Sequence, residues 1–226
     1  MKSRGFTLIE IIVSLGIFSI VAVIAIGSLV RVTSANRQAQ AAQAGVNNVS
    51  FIMDTMSREL RTGTGYTCNT GGGLLNEGTG LLNNVAGALN CSGIIDRLSN
   101  SAVDVLITFT SANTAIDPTD PSGKTVCNLK YAYLFHTPNS NGTTTIYKAQ
   151  ESACKTSGQD VTTEKFFPLS SQTVNLTDYK VGVFGGVTDH PYGWVFVRLK
   201  GSVGIKIKDQ SIFDVQMSIS QRNNTI

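Results

Sequence analysis

The sequence predicts an α+β protein: one very long N-terminal helix followed by a mainly antiparallel β-sheet head. Three observations predict it. Residues 11–30 form an apolar run without a charged side chain. Apolar residues then recur at helical spacing as far as Leu60. From Val103 onward, segments rich in branched and aromatic residues alternate with short connections rich in turn formers. Helix first and strands afterwards is the order of an α+β domain, and short connections join antiparallel neighbours.

The first half of the helix is long enough to cross a bilayer. At about 1.5 Å per residue the run reaches roughly 30 Å, the thickness of the hydrocarbon core. Lys2 and Arg4 precede it, Glu10 stands at its edge, and the next charge is Arg31. Positive residues before a span stay cytoplasmic, which sends the C-terminal bulk outward. A secretory signal has a shorter apolar core and a small-residue cleavage site behind it. Here the run is long, and Ala25-Ile26-Gly27 and Thr33-Ser34-Ala35 are weak cleavage candidates. Glu10 is the anomaly, since a carboxylate inside a span costs about 2.5–3.5 kcal/mol unless it finds a partner. The plain alternative leaves it in the first helical turn near headgroups, where the helix dipole favours an anion.

The helix continues beyond the span. Residues 37–44 are dominated by Ala and Gln, and the first proline is Pro118. Val49, Ile52, Met53, Met56 and Leu60 make one stripe, with Asp54 and Arg58 four apart on another face. A helix over residues 7–61 measures about 80 Å. Gly16, Gly27 and Gly45 are its weak points, each costing up to about 1 kcal/mol against alanine.

Residues 62–93 are rich in Gly, Asn and Thr and read as a loop holding Cys68 and Cys91. Their glycines follow a helix and open no strand-to-helix turn, which removes the phosphate-cradle reading. Residues 103–110 read as a strand, and residues 117–123 as a turn. Its Asp117 and Asp120 are a poor calcium site, lacking a bidentate Glu at a defined offset, so no cofactor is expected.

Four cysteines, Cys68, Cys91, Cys127 and Cys154, show no zinc spacing and lie on the outward side of the span, where disulfides persist. Four cysteines allow three connectivities. Strands over 129–136 and 143–150, joined by the turn formers of 138–142, choose among them. A turn centred near Ser140 sets Cys127 opposite Cys154 and leaves Cys68 for Cys91. Further strands are expected at 179–187, 194–200, 203–208 and 211–220.

Chemistry has few candidates. His136 and His190 are the only histidines, and neither GxSxG nor HExxH occurs, so the chain is not expected to be an enzyme. The formal charge is +3, and +1 without Lys2 and Arg4, which gives no global field for an anionic partner. Arg198, Lys200, Lys206 and Lys208, with Tyr192 and Trp194 nearby, form the one stripe on which DNA could lie. The alternation of Ile205 and Ile207 with Lys206 and Lys208 is equally that of a half-buried strand with a solvated face.

Lys2-Ser3-Arg4-Gly5-Phe6-Thr7-Leu8-Ile9-Glu10 resembles the class III signal of the type IV pilin superfamily, matching residue by residue from Gly5 to Glu10. The resemblance implies a pilin-like fold, cleavage by prepilin peptidase after Gly5, N-methylation of Phe6, and Glu10 as the assembly glutamate. It divides the chain into a leader (1–5), a transmembrane and filament-core helix (6–30) and an extracytoplasmic head (31–226). The implied partners are other pilin or pseudopilin subunits, an inner-membrane assembly platform and, before assembly, membrane lipid. The implied location is the bacterial cytoplasmic membrane, then an extracellular or periplasmic filament. Pilins often carry a proline where this chain has Gly27, and a soft kink is expected there in an assembled filament. Met-Ser-Arg-Glu-Leu-Arg at 56–61, the hairpin of 131–148, the ending at 218–223 and the length resemble J-type pseudopilins of type II secretion and W-type minor pilins. These imply a minor subunit that starts or caps a type IV pilus or secretion filament. The competing readings are a tip adhesin or DNA-uptake pilin, and a plain membrane-anchored domain.

Overall fold

The computed structural model describes residues 7–83, 89–90, 93–96, 104–116, 121–123, 126–138, 143–151, 163–171, 173–184, 193–204 and 210–221. Helix α1 runs unbroken over Leu8–Thr62, 55 residues, which is about 80 Å. Thr7 precedes it in an extended conformation, and the Gly63 amide closes its last turn on the Leu60 carbonyl at 3.3 Å. The Tyr66 hydroxyl also donates to the Leu60 carbonyl, satisfying an end group of the helix. Burial pushes the Tyr66 hydroxyl up to about 12, so it remains a donor.

All strand pairs are antiparallel. The strands are β1 (Thr64–Gly71), β2 (Leu75–Asn76), β3 (Leu81–Leu82), β4 (Leu89–Asn90), β5 (Ile94–Asp96) and β6 (Asp104–Ile116). They continue with β7 (Val126–His136), β8 (Thr145–Gln150), β9 (Phe167–Pro168), β10 (Val174–Phe184), β11 (Trp194–Val203) and β12 (Ser211–Ser220). One sheet has the order β4-β1-β6-β7-β8-β9, the second β12-β11-β10-β5, and β2 and β3 form a small hairpin.

The two faces of the six-stranded sheet follow from period-two alternation. Val105, Ile107, Phe109, Tyr131, Tyr133 and Phe135 join the core that includes Val49, Ile52, Met56 and Leu60 of α1 and Val181, Val195, Val197 and Leu199 of the second sheet. The intervening Leu106, Ala132 and Leu134 lie on the opposite face, in a second cluster with Leu74, Leu75, Ala149 and Phe166. Strands covered on both faces read as continuous apolar runs, which is why residues 103–110 alternate only partly.

Some expectations are corrected. Residues 62–93 are not simply a loop: β1 carries buried Tyr66 and Cys68 at alternate positions and pairs with β6, so a neighbouring strand overrides its poor β composition. Strand β6 extends to Ile116, and β10 begins at Val174 rather than near 179. The strands expected at 194–200 and from 203 are joined, because β11 continues through Gly201. A Cβ on Gly201 would lie 2.2 Å from the Asn175 carbonyl oxygen, so this glycine permits close strand approach instead of making a turn. The sites expected at Gly5, Phe6, Cys91, Asp117, Asp120, Cys154, His190, Tyr192, Lys206 and Lys208 lie outside the described residues.

Candidate functional site

The helix has two parts with different surroundings. None of its residues before Gly45 is buried, and Leu8, Phe18 and Val23 are 76%, 70% and 70% exposed. An apolar surface of this extent is far larger than the patches that water-soluble monomers expose. It is a surface for lipid or for other apolar helices, and it is long and apolar enough to cross a membrane. Glu10 sits within it, exposed, in the first turn, and the Ser14 hydroxyl donates to its backbone carbonyl at 2.7 Å. Within residues 11–30 the only polar side chains are Ser14, Ser19 and Ser28, whose hydroxyls turn back onto the helix backbone.

The second part is seated on the head. Gly45, Val49, Ile52, Met56 and Leu60 are buried, in steps of three and four. The expected charge pair on another face is present, with Arg58 donating to Asp54 at 2.7 Å in solvent. Two polar ties complete the seat. The Ser171 amide donates to Asn48 Oδ1 at 3.0 Å, and Glu59 accepts from the Tyr133 hydroxyl and from Lys148 Nζ, both at 2.5 Å. Lys148 Nζ also lies 4.9 Å from the centroid of the Tyr131 ring. Burial, then the charge and hydrogen bond of Glu59, push the Tyr133 hydroxyl upward and keep it a donor. Glu59 thus ties α1 to β7 and β8 together.

Glu59 was not singled out from sequence as a tie, although its position beside Leu60, three residues after Met56, borders the apolar stripe. A second group was missed on the other face of the six-stranded sheet. Buried Asp104 accepts from the Leu74 amide at 2.7 Å, the Thr137 amide at 3.0 Å and His136 Nδ1 at 2.9 Å. His136 had entered the sequence reading only as one of two isolated histidines. Its signal was its place at the last position of an apolar strand, in step with Ala132 and Leu134.

Cys68 pairs across β1–β6 with Ile107, and Cys127 across β6–β7 with Ala115, so these two cysteines lie far apart along the sheet. No cysteine among the described residues is free. In the β1–β4 ladder Asn69 faces Asn90 and Thr70 faces Leu89. In the β7–β8 ladder Tyr131 faces Gln150 and His136 faces Thr145.

Of the two described members of the basic stripe, Arg198 is ion-paired and Lys200 is exposed. Arg198 makes a two-pronged contact with Asp214, Nε at 2.8 Å and Nη2 at 2.6 Å, and Lys180 pairs with Asp96 at 2.7 Å. The Arg198 hydrogen bond holds the Asp214 carboxyl below its usual range. Trp194 stacks on Phe184 with ring centroids 4.1 Å apart, which occupies one of its faces. Among the described residues no three His, Cys, Asp or Glu side chains gather as a metal site.

A long helix with a bare apolar half and a seated half, on an antiparallel head, defines a helix-anchored α+β protein. Residues 1–26 match the family model of the prokaryotic N-terminal methylation motif. The N-terminal segment thus carries the methylation motif, which supports a type IV pilin-like reading of the chain. Comparison with curated proteins and with solved structures returned no match.

Proposed function

We propose that the protein is a minor pilin or pseudopilin, a structural subunit that starts or caps a type IV pilus or a type II secretion-like filament. The observation that carries this reading is the division of α1: a bare apolar half holding one carboxylate, joined rigidly to a head by a buried stripe and the Glu59 tie. Such a helix is held by the bilayer first and by neighbouring helices in the filament afterwards. Prepilin peptidase cuts after Gly5, Phe6 is N-methylated, and residues 6–30 become the filament core. The Phe6 α-amine released by the cut pairs with Glu10 of a neighbouring subunit, which removes two charges from an apolar interior.

The intact mass of the protein from its native host tests this. Loss of residues 1–5 with one added methyl group is expected, and replacing Gly5 should leave the full-length mass. An uncut wild-type N-terminus would instead support a plain membrane-anchored domain.

In the same reading, Cys68 pairs with Cys91 and Cys127 with Cys154. Register supports both bonds: in the described ladders Asn69 faces Asn90 and Tyr131 faces Gln150, the alignments on which the Cys68–Cys91 and Cys127–Cys154 readings rest. Each bond contributes about 3 kcal/mol by restricting the unfolded chain. Non-reducing peptide mapping should recover these two linked pairs; a Cys91–Cys127 peptide would refute the assignment.

A further inference from the structure

The β2–β3 hairpin covers the outer face of the six-stranded sheet. Leu74 and Leu75 pack on Leu106, Ala132, Leu134 and Ala149. The hairpin is closed internally by the Asn83 amide on the Leu74 carbonyl at 2.7 Å and the Gly80 amide on the Asn76 carbonyl at 2.8 Å. It is fastened to the rest of the head by the Leu74 amide on Asp104, the Phe166 amide on the Gly80 carbonyl at 2.7 Å, and Glu77 Oε1 at 3.2 Å from His136 Nε2.

His136 therefore has a carboxylate at each ring nitrogen: Asp104 of β6 at Nδ1 and Glu77 of the hairpin at Nε2. A neutral imidazole has one N–H donor and one lone-pair acceptor, so it can satisfy only one carboxylate and turns a lone pair toward the other. The imidazolium satisfies both. Asp104 is committed by two backbone amides as well, so the contact given up on deprotonation is the one to Glu77.

We propose that His136 is a proton-operated latch that holds the β2–β3 hairpin on the outer face of the sheet. The titratable groups facing the ring, among the described residues, are Asp104, Glu77 and Tyr147 of β8, whose ring meets it edge-on at 6.0 Å. Tyr147 is pushed upward by burial and by Glu77, so it stays neutral as the histidine titrates. Burial of His136 opposes its charge, and the hydrogen bonds and charges of Asp104 and then Glu77 outweigh that, raising its pKa. A raised folded-state value gives stabilisation that is complete below the unfolded value of about 6.5 and is lost as pH rises through the folded value. The latch is thus closed in acid and at its most open on the alkaline side, where Leu106 and Leu134 lose part of their cover.

The test uses the full chain in detergent micelles. His136 is titrated by NMR, and amide exchange across residues 74–83 is measured from pH 6 to 9 against the chemical exchange rate, with β10 and β11 amides as the internal control. The expected result is a His136 midpoint above 6.5. Protection of the Leu74 and Asn83 amides should fall across it, by about tenfold for each unit by which it is raised. Glu77 is largely exposed, so Glu77→Gln leaves the fold intact; it should lower the midpoint and move the loss of protection to lower pH with it. A midpoint at or below 6.5, unchanged protection through it, or the same loss of protection in Glu77→Gln would overturn the latch.

Discussion

Replacing Gly45 by alanine lowers the unfolding temperature of the head by about 4–8 °C, the shift that corresponds to a loss of about 2 kcal/mol in a domain of this size. On an isolated helix the substitution should help, by up to about 1 kcal/mol. The seat reverses the sign. A Cβ at position 45 would stand 1.4 Å from Val203 Cγ1 and 2.6 Å from Val203 Cβ, inside any permissible contact. Val203 is completely buried and β-branched, so it has no free rotamer into which to withdraw. The helix must lift from β11, which loosens the packing of Val49 and Ile52 beside it. Val203→Ala removes the nearest atom of the clash, so the double variant should be more stable than the sum of the two single changes predicts. Thermal unfolding of the four proteins in detergent, followed by circular dichroism, measures this. A Gly45→Ala protein as stable as the parent would show that the helix does not sit where the structure puts it.

Gly45 also marks a limit of sequence reading. Its spacing to Val49, Ile52, Met56 and Leu60 was visible, and so was the helix that carries them, because a 3.6-residue period is a local property. What the glycine touches is not local. From sequence it counted only as a weak point in the helix; in the fold it is a point of close approach to a strand residue 158 positions later in the chain. Gly201 is a similar case, read as a turn and found to be a crowded point within β11. The long helix and strand β12, by contrast, fall where the sequence places them.

The same distinction separates the polar residues. Glu10 was legible because its cost is local: a carboxylate at the edge of an apolar run is anomalous in any fold. Glu59, Asp104 and His136 are anomalous only once strand register has placed Tyr133, Lys148 and Glu77 against them. The β7–β8 register was readable from one hairpin, and Tyr131 facing Gln150 is the alignment that a turn near Ser140 demands. Register between strands distant in sequence, such as β1 with β6, had no such local anchor.

Replacing Glu10 by alanine should leave cleavage and head stability unchanged while lowering incorporation into filaments by more than tenfold. Position 10 is about 50 Å along the helix from Gly45, too far for a side chain to influence the seat. The unfolding temperature of the variant should therefore match that of the parent, which separates an assembly defect from a folding defect. In the bilayer the substitution is favourable, since it removes a carboxylate costing about 2.5–3.5 kcal/mol in an apolar span. In the proposed filament it is unfavourable, because the Phe6 α-amine of the adjoining subunit would be left charged and unpaired among apolar helices. Leaving one member of a buried pair uncompensated costs several kcal/mol, and about 1.4 kcal/mol already makes a tenfold difference in an equilibrium. In the proposed filament the opposite signs of the two terms would make the carboxylate a device that favours the filament over the membrane. Glu10→Gln keeps the shape and lacks the charge, so it should be defective too, and to a similar degree. Sheared filaments probed for this subunit, alongside its total cellular amount, give the ratio directly. Normal incorporation of Glu10→Ala would remove the charge-pairing mechanism and leave the apolar face of α1 as the sole driver of assembly.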